Sequence, residues 1–389
     1  MASATVARWS RTFVAVGAVF LVAWALTHLL GEPRSVGVTL GLYGFVFSVV
    51  FGKGYALLPA YFARELAFPR APAVHLPLHV LGVLGLAAND PALTGPAAVL
   101  WGVGVLVFVV SIGWTVRDNV TGAETGTTDV NVHRVEIDRF ANAFVPVVLL
   151  YLLLAAAHRV GATQGLVSLT TPAITHVLAA GAATLLVFAV GFRLLPRFLV
   201  VSPSRLAVRV VLPAGALGPA LLVTDFLGGV QFQLGATLIA LAVIGFALSF
   251  LDMYRRTDRD RVGFHGVALG ALAGIVTVAI GLHFAFTHPD GGLATAHYRL
   301  AVGGFLGLTI VGVSYQFYPP AIGSTPGVGN RTALASILAL AVGLALEAVG
   351  VVTATESLEL GGSGLVLVGA VLYAFVVLDL FLERWHQRR

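Results

Sequence analysis

Eleven histidines and no cysteine define the metal chemistry open to this chain. A neutral imidazole is a ready ligand for haem iron, copper or zinc. Without a thiol there is no disulfide, no iron–sulfur cluster and no thiolate metal site. His28, His158, His176, His283, His288 and His297 fall at or near one end of successive apolar runs, as a ring of imidazoles at one depth. Any one of them alone also suits a membrane interface, with its apolar body buried and its polar tip wet. His158 beside Arg159 and His288 beside Pro289 and Asp290 read as loop residues. His75 and His79 form an i, i+4 pair whose spacing can bind a metal, but no carboxylate is near in sequence, so a packing or interfacial role suits them better. His133, His265 and His386 read as solvated.

The elements that position these residues are membrane helices. Of 389 residues, 58% are hydrophobic and 11% charged. A soluble chain carries about a quarter charged residues, so here the bilayer must replace water as solvent. Apolar runs long enough to cross a membrane predict twelve spans, at 12–31, 36–61, 73–88, 92–116, 140–160, 172–197, 206–227, 232–254, 263–287, 296–320, 331–353 and 361–383. The third is the shortest and holds His75, Pro77 and His79. The first is too long for a signal peptide and is followed at once by another, so it reads as a span.

Loop charges give the sidedness. With the N-terminus inside, the inner segments collect most arginines, among them Arg8, Arg64, Arg117, Arg205, Arg256, Arg388 and Arg389. The outer segments hold only Arg34, Arg159 and Arg299, and gather Glu32, Asp90, Asp225, Asp290, Glu356 and Glu359 instead. This asymmetry predicts twelve spans, or another even count with the same sidedness, in the plasma membrane with both termini cytoplasmic. It also explains the pI of 9.8 without a nucleic-acid partner.

Lys53 and Arg193, near the inner ends of spans two and six, are expected to snorkel to the headgroups. Glu347 and Asp225 lie in the outer parts of spans eleven and seven, where either could pair with an outer histidine or arginine or take part in proton transfer. Asp252, Asp379 and Glu383 read as inner-interface caps or arginine partners. The loop from Arg117 to Arg139 is too short for a domain, and Gly122 to Thr128 reads as flexible. There is no Walker loop, dinucleotide fingerprint or usable Ser/His/Asp arrangement, so the chain reads as a single membrane domain.

The spans carry an internal pattern. Gly44-Phe45 is followed by Gly54-Tyr55-Ala56-Leu57-Leu58-Pro59, Gly181-Ala182 by Gly191-Phe192-Arg193-Leu194-Leu195-Pro196, and Gly304-Phe305 by Ser314-Tyr315-Gln316-Phe317-Tyr318-Pro319. The first glycine and the proline are fifteen residues apart in all three, on spans two, six and ten. The fold expected is therefore all-α, in three pseudo-repeats of four helices at 1–139, 140–261 and 262–389. Internal repeats usually place a binding site on the axis that relates them.

A twelve-helix chain of three four-helix units resembles the haem–copper oxidase subunit I superfamily and its NnrS-like relatives. Thr175-His176-Val177-Leu178 followed by Gly191-Phe192-Arg193-Leu194-Leu195-Pro196-Arg197-Phe198 is similar to their sixth-helix text. Ala296-His297-Tyr298-Arg299-Leu300 followed by Gly304-Phe305-Leu306-Gly307-Leu308-Thr309 is similar to their tenth. The resemblance implies a haem cofactor with copper as the second candidate, and a redox partner protein on the outer face. The chain also departs from the pattern: span two has no histidine, span seven has no histidine pair, and Arg299 replaces the second tenth-helix histidine. The copper ligands are absent as a set, so oxygen or nitric oxide reduction does not carry over. Symmetry and resemblance together select His176 and His297 as cofactor ligands, then His283, then His28.

The expected function is a haem- or metal-binding membrane protein, linked to respiratory or nitrogen-oxide metabolism. One alternative is a cofactor-free permease with a polar midplane cavity around Gln316, Thr309, Tyr315 and Thr184. Another is a structural or assembly subunit of a respiratory complex with a broad apolar lateral face.

Overall fold

The computed structural model describes residues 3–166, 169–288 and 290–386, and side chains as far as residue 384. Arg388, Arg389 and the His386 side chain lie outside the described residues. All regular structure among the described residues is helical. In chain order the helices are α1 (Ala4–Leu29), α2 (Arg34–Tyr61), α3 (Ala71–Ala87), α4 (Pro91–Val116), α5 (Asp129–Ala162), α6 (Thr171–Leu199), α7 (Arg205–Thr224), α8 (Gly229–Arg256), α9 (Val262–Phe286), α10 (Gly291–Ile322), α11 (Asn330–Thr353) and α12 (Glu356–Arg384). Eleven of these are long and apolar enough to cross a bilayer. The exception is α3, whose 17 residues reach about 26 Å against a hydrocarbon core of about 30 Å. The chain is a polytopic helical membrane protein. Each expected span falls on one helix, and the third, expected to be weakest, is the one that falls short.

Three helices form the interior. In α2, α6 and α10, 78, 67 and 83% of the apolar stretch is buried, against 33–50% in the other spanning helices. Around them, α3 packs on α4, α7 on α8 and α11 on α12 as antiparallel hairpins. The ring continues through α4 on α5 and α8 on α9, and it closes where α12 meets α1.

The interior helices share a backbone feature. Each contains a π-helical stretch, Thr39–Val46 in α2, Val177–Thr184 in α6 and Leu300–Leu308 in α10. Full π segments are rare, because most occur as single-turn bulges. Gly44, Gly181 and Gly304 lie inside these segments, and each faces the helix before it. A Cβ there would come within 2.8 Å of Phe20 on α1, 2.7 Å of Tyr151 on α5 and 2.8 Å of Ala273 on α9. Ten residues on, Gly54 and Gly191 would meet the Phe108 and Phe246 rings at 2.7 Å, and Ser314 Oγ accepts a 3.1 Å hydrogen bond from Tyr373.

At the arginine-rich end, Arg193 does not snorkel. It is 3% exposed, lies 4.1 Å over the Tyr61 ring, donates to the carbonyls of Tyr61 (2.8 Å) and Thr125 (2.9 Å) and to Asn142, and sits 3.6 Å from Asp138. Asp138 is also paired with Arg197. This clamp corrects the expectation for 122–128: a buried guanidinium must have its donors satisfied, and the loop supplies an acceptor. Gly126, at φ +61, fits against Ala60 where a Cβ would lie 2.6 Å from its carbonyl oxygen. Nearby, Arg64 pairs with Asp118 (3.3 Å) and Glu124 (2.7 Å), and these contacts hold both carboxyls below their ordinary range.

Lys53 also turns inward. Its ammonium donates to the Tyr318 hydroxyl at 2.8 Å and lies 3.8 Å over the Phe317 ring. It borders a cavity of about 110 Å³ among α2, α6 and α10, lined by apolar side chains such as Val50, Leu57, Val190 and Leu194. Thr309 reaches this cavity, and its walls are otherwise almost wholly apolar.

Where α9 crosses α10, Gly266 packs directly on backbone, with a hypothetical Cβ 2.9 Å from Gly312 Cα and 3.1 Å from the Leu308 carbonyl oxygen. Backbone cannot yield as a side chain can. Gly266→Leu is therefore expected to destabilise the protein by about 1–3 kcal/mol or more, seen as a lower detergent-melting temperature. Gly364→Leu, at a position with nothing within 4 Å, is expected to melt like the parent.

Candidate functional site

Two of the four candidate ligands come together. The last residue of the α-helical stretch Thr171–His176 is His176, directly before the π segment of α6. In α10, His297 lies in the stretch Gly291–Arg299, just before that helix turns π. Their ring centroids are 6.0 Å apart and their planes differ by 23°.

Each ring is held through one nitrogen. The Nδ1 of His176 bonds the Pro172 carbonyl at 2.8 Å, and the Nδ1 of His297 bonds the Thr277 carbonyl of α9 at 2.9 Å. A carbonyl only accepts, so both Nδ1 atoms carry the hydrogen. In the neutral rings that leaves both Nε2 lone pairs free, the arrangement found in metal-ligating histidines. Phe226 packs 5.3 Å from His176 and Phe284 5.9 Å from His297. A Cβ at Gly281 would lie 3.3 Å from His297 Cε1, so the small residue leaves room for the ring.

The other two candidates go elsewhere. His283 is exposed and has Phe284 at 6.2 Å. His28 bonds Glu347 through Nδ1 at 2.9 Å, with the two side chains 4% and 0% exposed. Ser363 donates to the same carboxylate at 2.6 Å. Arg299 approaches Glu347 at 3.9 Å and pairs with Glu359 at 2.9 Å. Trp24 donates to the Tyr298 hydroxyl at 2.7 Å. The pairing expected of Glu347 is thus present, while Asp225 stays exposed.

This buried cluster ties α1, α10, α11 and α12 together, and it fixes how α10 is rotated. Residues two apart on a helix point about 200° apart. Arg299 held toward α11 and α12 therefore aims His297 the other way, toward α9 and α6. Sequence reasoning picked out Glu347 but gave Arg299 no role in the cluster.

Of the remaining histidines, several are packed inside the bundle. His75 and His79 are fully buried rather than interfacial, with Phe51 4.4 Å and 5.3 Å from the two rings. Tyr55 OH lies 3.2 Å from His75 Nδ1, and Ser48 Oγ 2.9 Å from His79 Nε2. His158 is buried within α5, not a loop residue. His265 is half-buried with Tyr254 OH at 3.1 Å, while His133 and His288 are exposed. Asp252 pairs with Arg256, and Glu383 accepts from the Ser324 and Thr325 backbone.

Removing one member of a buried ion cluster leaves its partners unmatched, at about 3–5 kcal/mol. Glu347→Gln is expected to lower the melting temperature strongly. Because Arg299 loses its buried partner in that variant, Glu347→Gln/Arg299→Gln is expected to cost less than the two single changes added. A thermal-melting double-mutant cycle with no coupling would remove the cluster's role in fixing α10.

No protein-family model matches the chain, and no curated protein sequence matches it.

Proposed function

We propose that this protein holds a metal centre, as haem iron or as copper, through His176 and His297. Its scaffold is three four-helix units resembling that of the haem–copper oxidase and NnrS-like proteins. The carrying observation is the pair of parallel, fixed imidazoles with free Nε2 lone pairs and ring centres 6.0 Å apart. Two metal–nitrogen bonds of about 2 Å each, plus the distance from nitrogen to centroid in each ring, put the ring centres about 6 Å apart. The ring spacing therefore matches that of a bis-imidazole ligand pair whose Nε2 atoms face one metal. Bound there, iron or copper supplies one-electron redox chemistry.

The threefold reading draws support from the π segment in each of α2, α6 and α10, and from the equivalent packing of Gly44, Gly181 and Gly304. Loop arginines support placing both termini on the cytoplasmic side of the plasma membrane, with the histidine pair at the outer face, open to a redox partner.

The test is a visible spectrum and metal content of protein purified from cells supplied with haem and copper. A Soret band identifies haem. Stoichiometric copper without that band identifies copper. His176→Ala and His297→Ala are each expected to lose at least tenfold of the bound metal, and His283→Ala to lose none. A colourless, metal-free preparation overturns the proposal.

A further inference from the structure

At the arginine-rich end, a groove of about 310 Å³ opens between the start of α5 and the start of α7. The stretch Val135–Asn142 supplies Glu136, Arg139 and Phe140, and α7 supplies Arg205, Val208 and Arg209. Three guanidinium groups face one carboxylate. Glu136 already bonds both Arg205 (2.9 Å) and Arg209 (2.6 Å), so the groove keeps a net charge of +2 from three arginines and one glutamate. Arg205 and Arg209 are 63 and 62% exposed, with their forks available to a further acceptor. Arg139 donates through Nε to the Ala123 carbonyl, which holds it at the rim.

The groove is also apolar on one side. Phe140 and Ala143 line it, Val208 at its floor is 2% exposed, and Leu206, next to Arg205 on α7, is 71% exposed. Side chains of that kind have no reason to face water on a helix that continues as a membrane span. Guanidinium forks beside exposed apolar side chains, at the boundary where a span begins, match an amphipathic anion. Arginine pairs with phosphate through two parallel N–H···O bonds. The volume is of the class that holds a small-molecule group.

We infer that this groove binds the headgroup of an anionic glycerophospholipid of the adjoining leaflet, phosphate on Arg205 and Arg209 and acyl chains along Phe140 and Leu206. A soluble anion would use the arginines alone and leave the apolar wall unexplained. The site is independent of the metal pair, which lies at the other end of the bundle.

The experiment is native mass spectrometry of the full-length protein released from micelles containing equal phosphatidylglycerol and phosphatidylcholine. Each arginine near a membrane surface contributes about fivefold to anionic-lipid binding. Arg205→Gln/Arg209→Gln is expected to reduce retained phosphatidylglycerol about 25-fold and leave phosphatidylcholine unchanged. Glu136→Gln frees both guanidinium groups and is expected to raise retention, an opposite response that misfolding cannot produce. Equal retention of the two lipids, an unchanged double variant, a fall with Glu136→Gln, or full displacement by millimolar inorganic phosphate each overturns the inference.

Discussion

With 78, 67 and 83% of their apolar stretches buried, α2, α6 and α10 have almost no lipid to face. Most side chains on them meet another helix. That constraint selects the glycines, since Phe20, Tyr151 and Trp24 of the surrounding helices pack where a Cβ would stand. Gly41 and Gly303 show the limit: a Cβ on either would come within 2.5 Å of the Trp24 ring. Trp24 is fully buried, so it cannot move aside. The outer helices carry the lipid-facing side chains, and inner and outer helices together carry the buried polar groups.

Those polar groups are costly in a bilayer unless they are matched. The structure matches them at opposite ends by different means. At one end Glu347 gathers His28, Ser363 and Arg299 from three other helices. At the other, Arg193 takes acceptors from Tyr61, Thr125 and Asn142 and a charge from Asp138. The first cluster joins the beginning of the chain to its end. The second pins the 117–139 loop onto the bundle. A buried ion group is weak evidence for added stability, but it specifies register, because a rotated helix would strand a charge.

The spans were legible because a run of about 20 apolar residues has few other readings. The glycine and proline marks on α2, α6 and α10 were legible because they recur at one interval. What was not legible was the partner of each buried polar residue. Arg193 reads as a snorkelling arginine until the loop brings Thr125 and α5 brings Asn142 beneath it, from positions 68 and 51 residues away. His28 reads as one of an outer ring of imidazoles, and its carboxylate partner Glu347 stands 319 residues away. His158 reads as a loop residue because Arg159 follows it, yet α5 runs on to Ala162 and buries its ring. In each case local composition describes a short segment, and the deciding fact lies outside it, in a distant contact or in how far the helix runs.

The π segments connect the two ends of this design. An α-helix advances about 100° per residue, and a π turn takes one residue more, so the stretch before it is offset from the stretch after it. In α6 and α10 the histidines lie before the π segment, and the residues that pack on α8 and α12 lie after it. An unbroken α-helix would couple the two directions. Seating Gly191 on Phe246 would then dictate where His176 points, and seating Ser314 on Tyr373 would do the same for His297. With a π segment between them, the lower half can satisfy the crowded interior while the upper half turns its imidazole to a carbonyl of its own choosing. In α2 the same π segment is present with no histidine before it, and the stretch Arg34–Val38 packs there on α1 and α3. The backbone device therefore belongs to the packing of all three interior helices, and the two histidines lie shortly before it in α6 and α10.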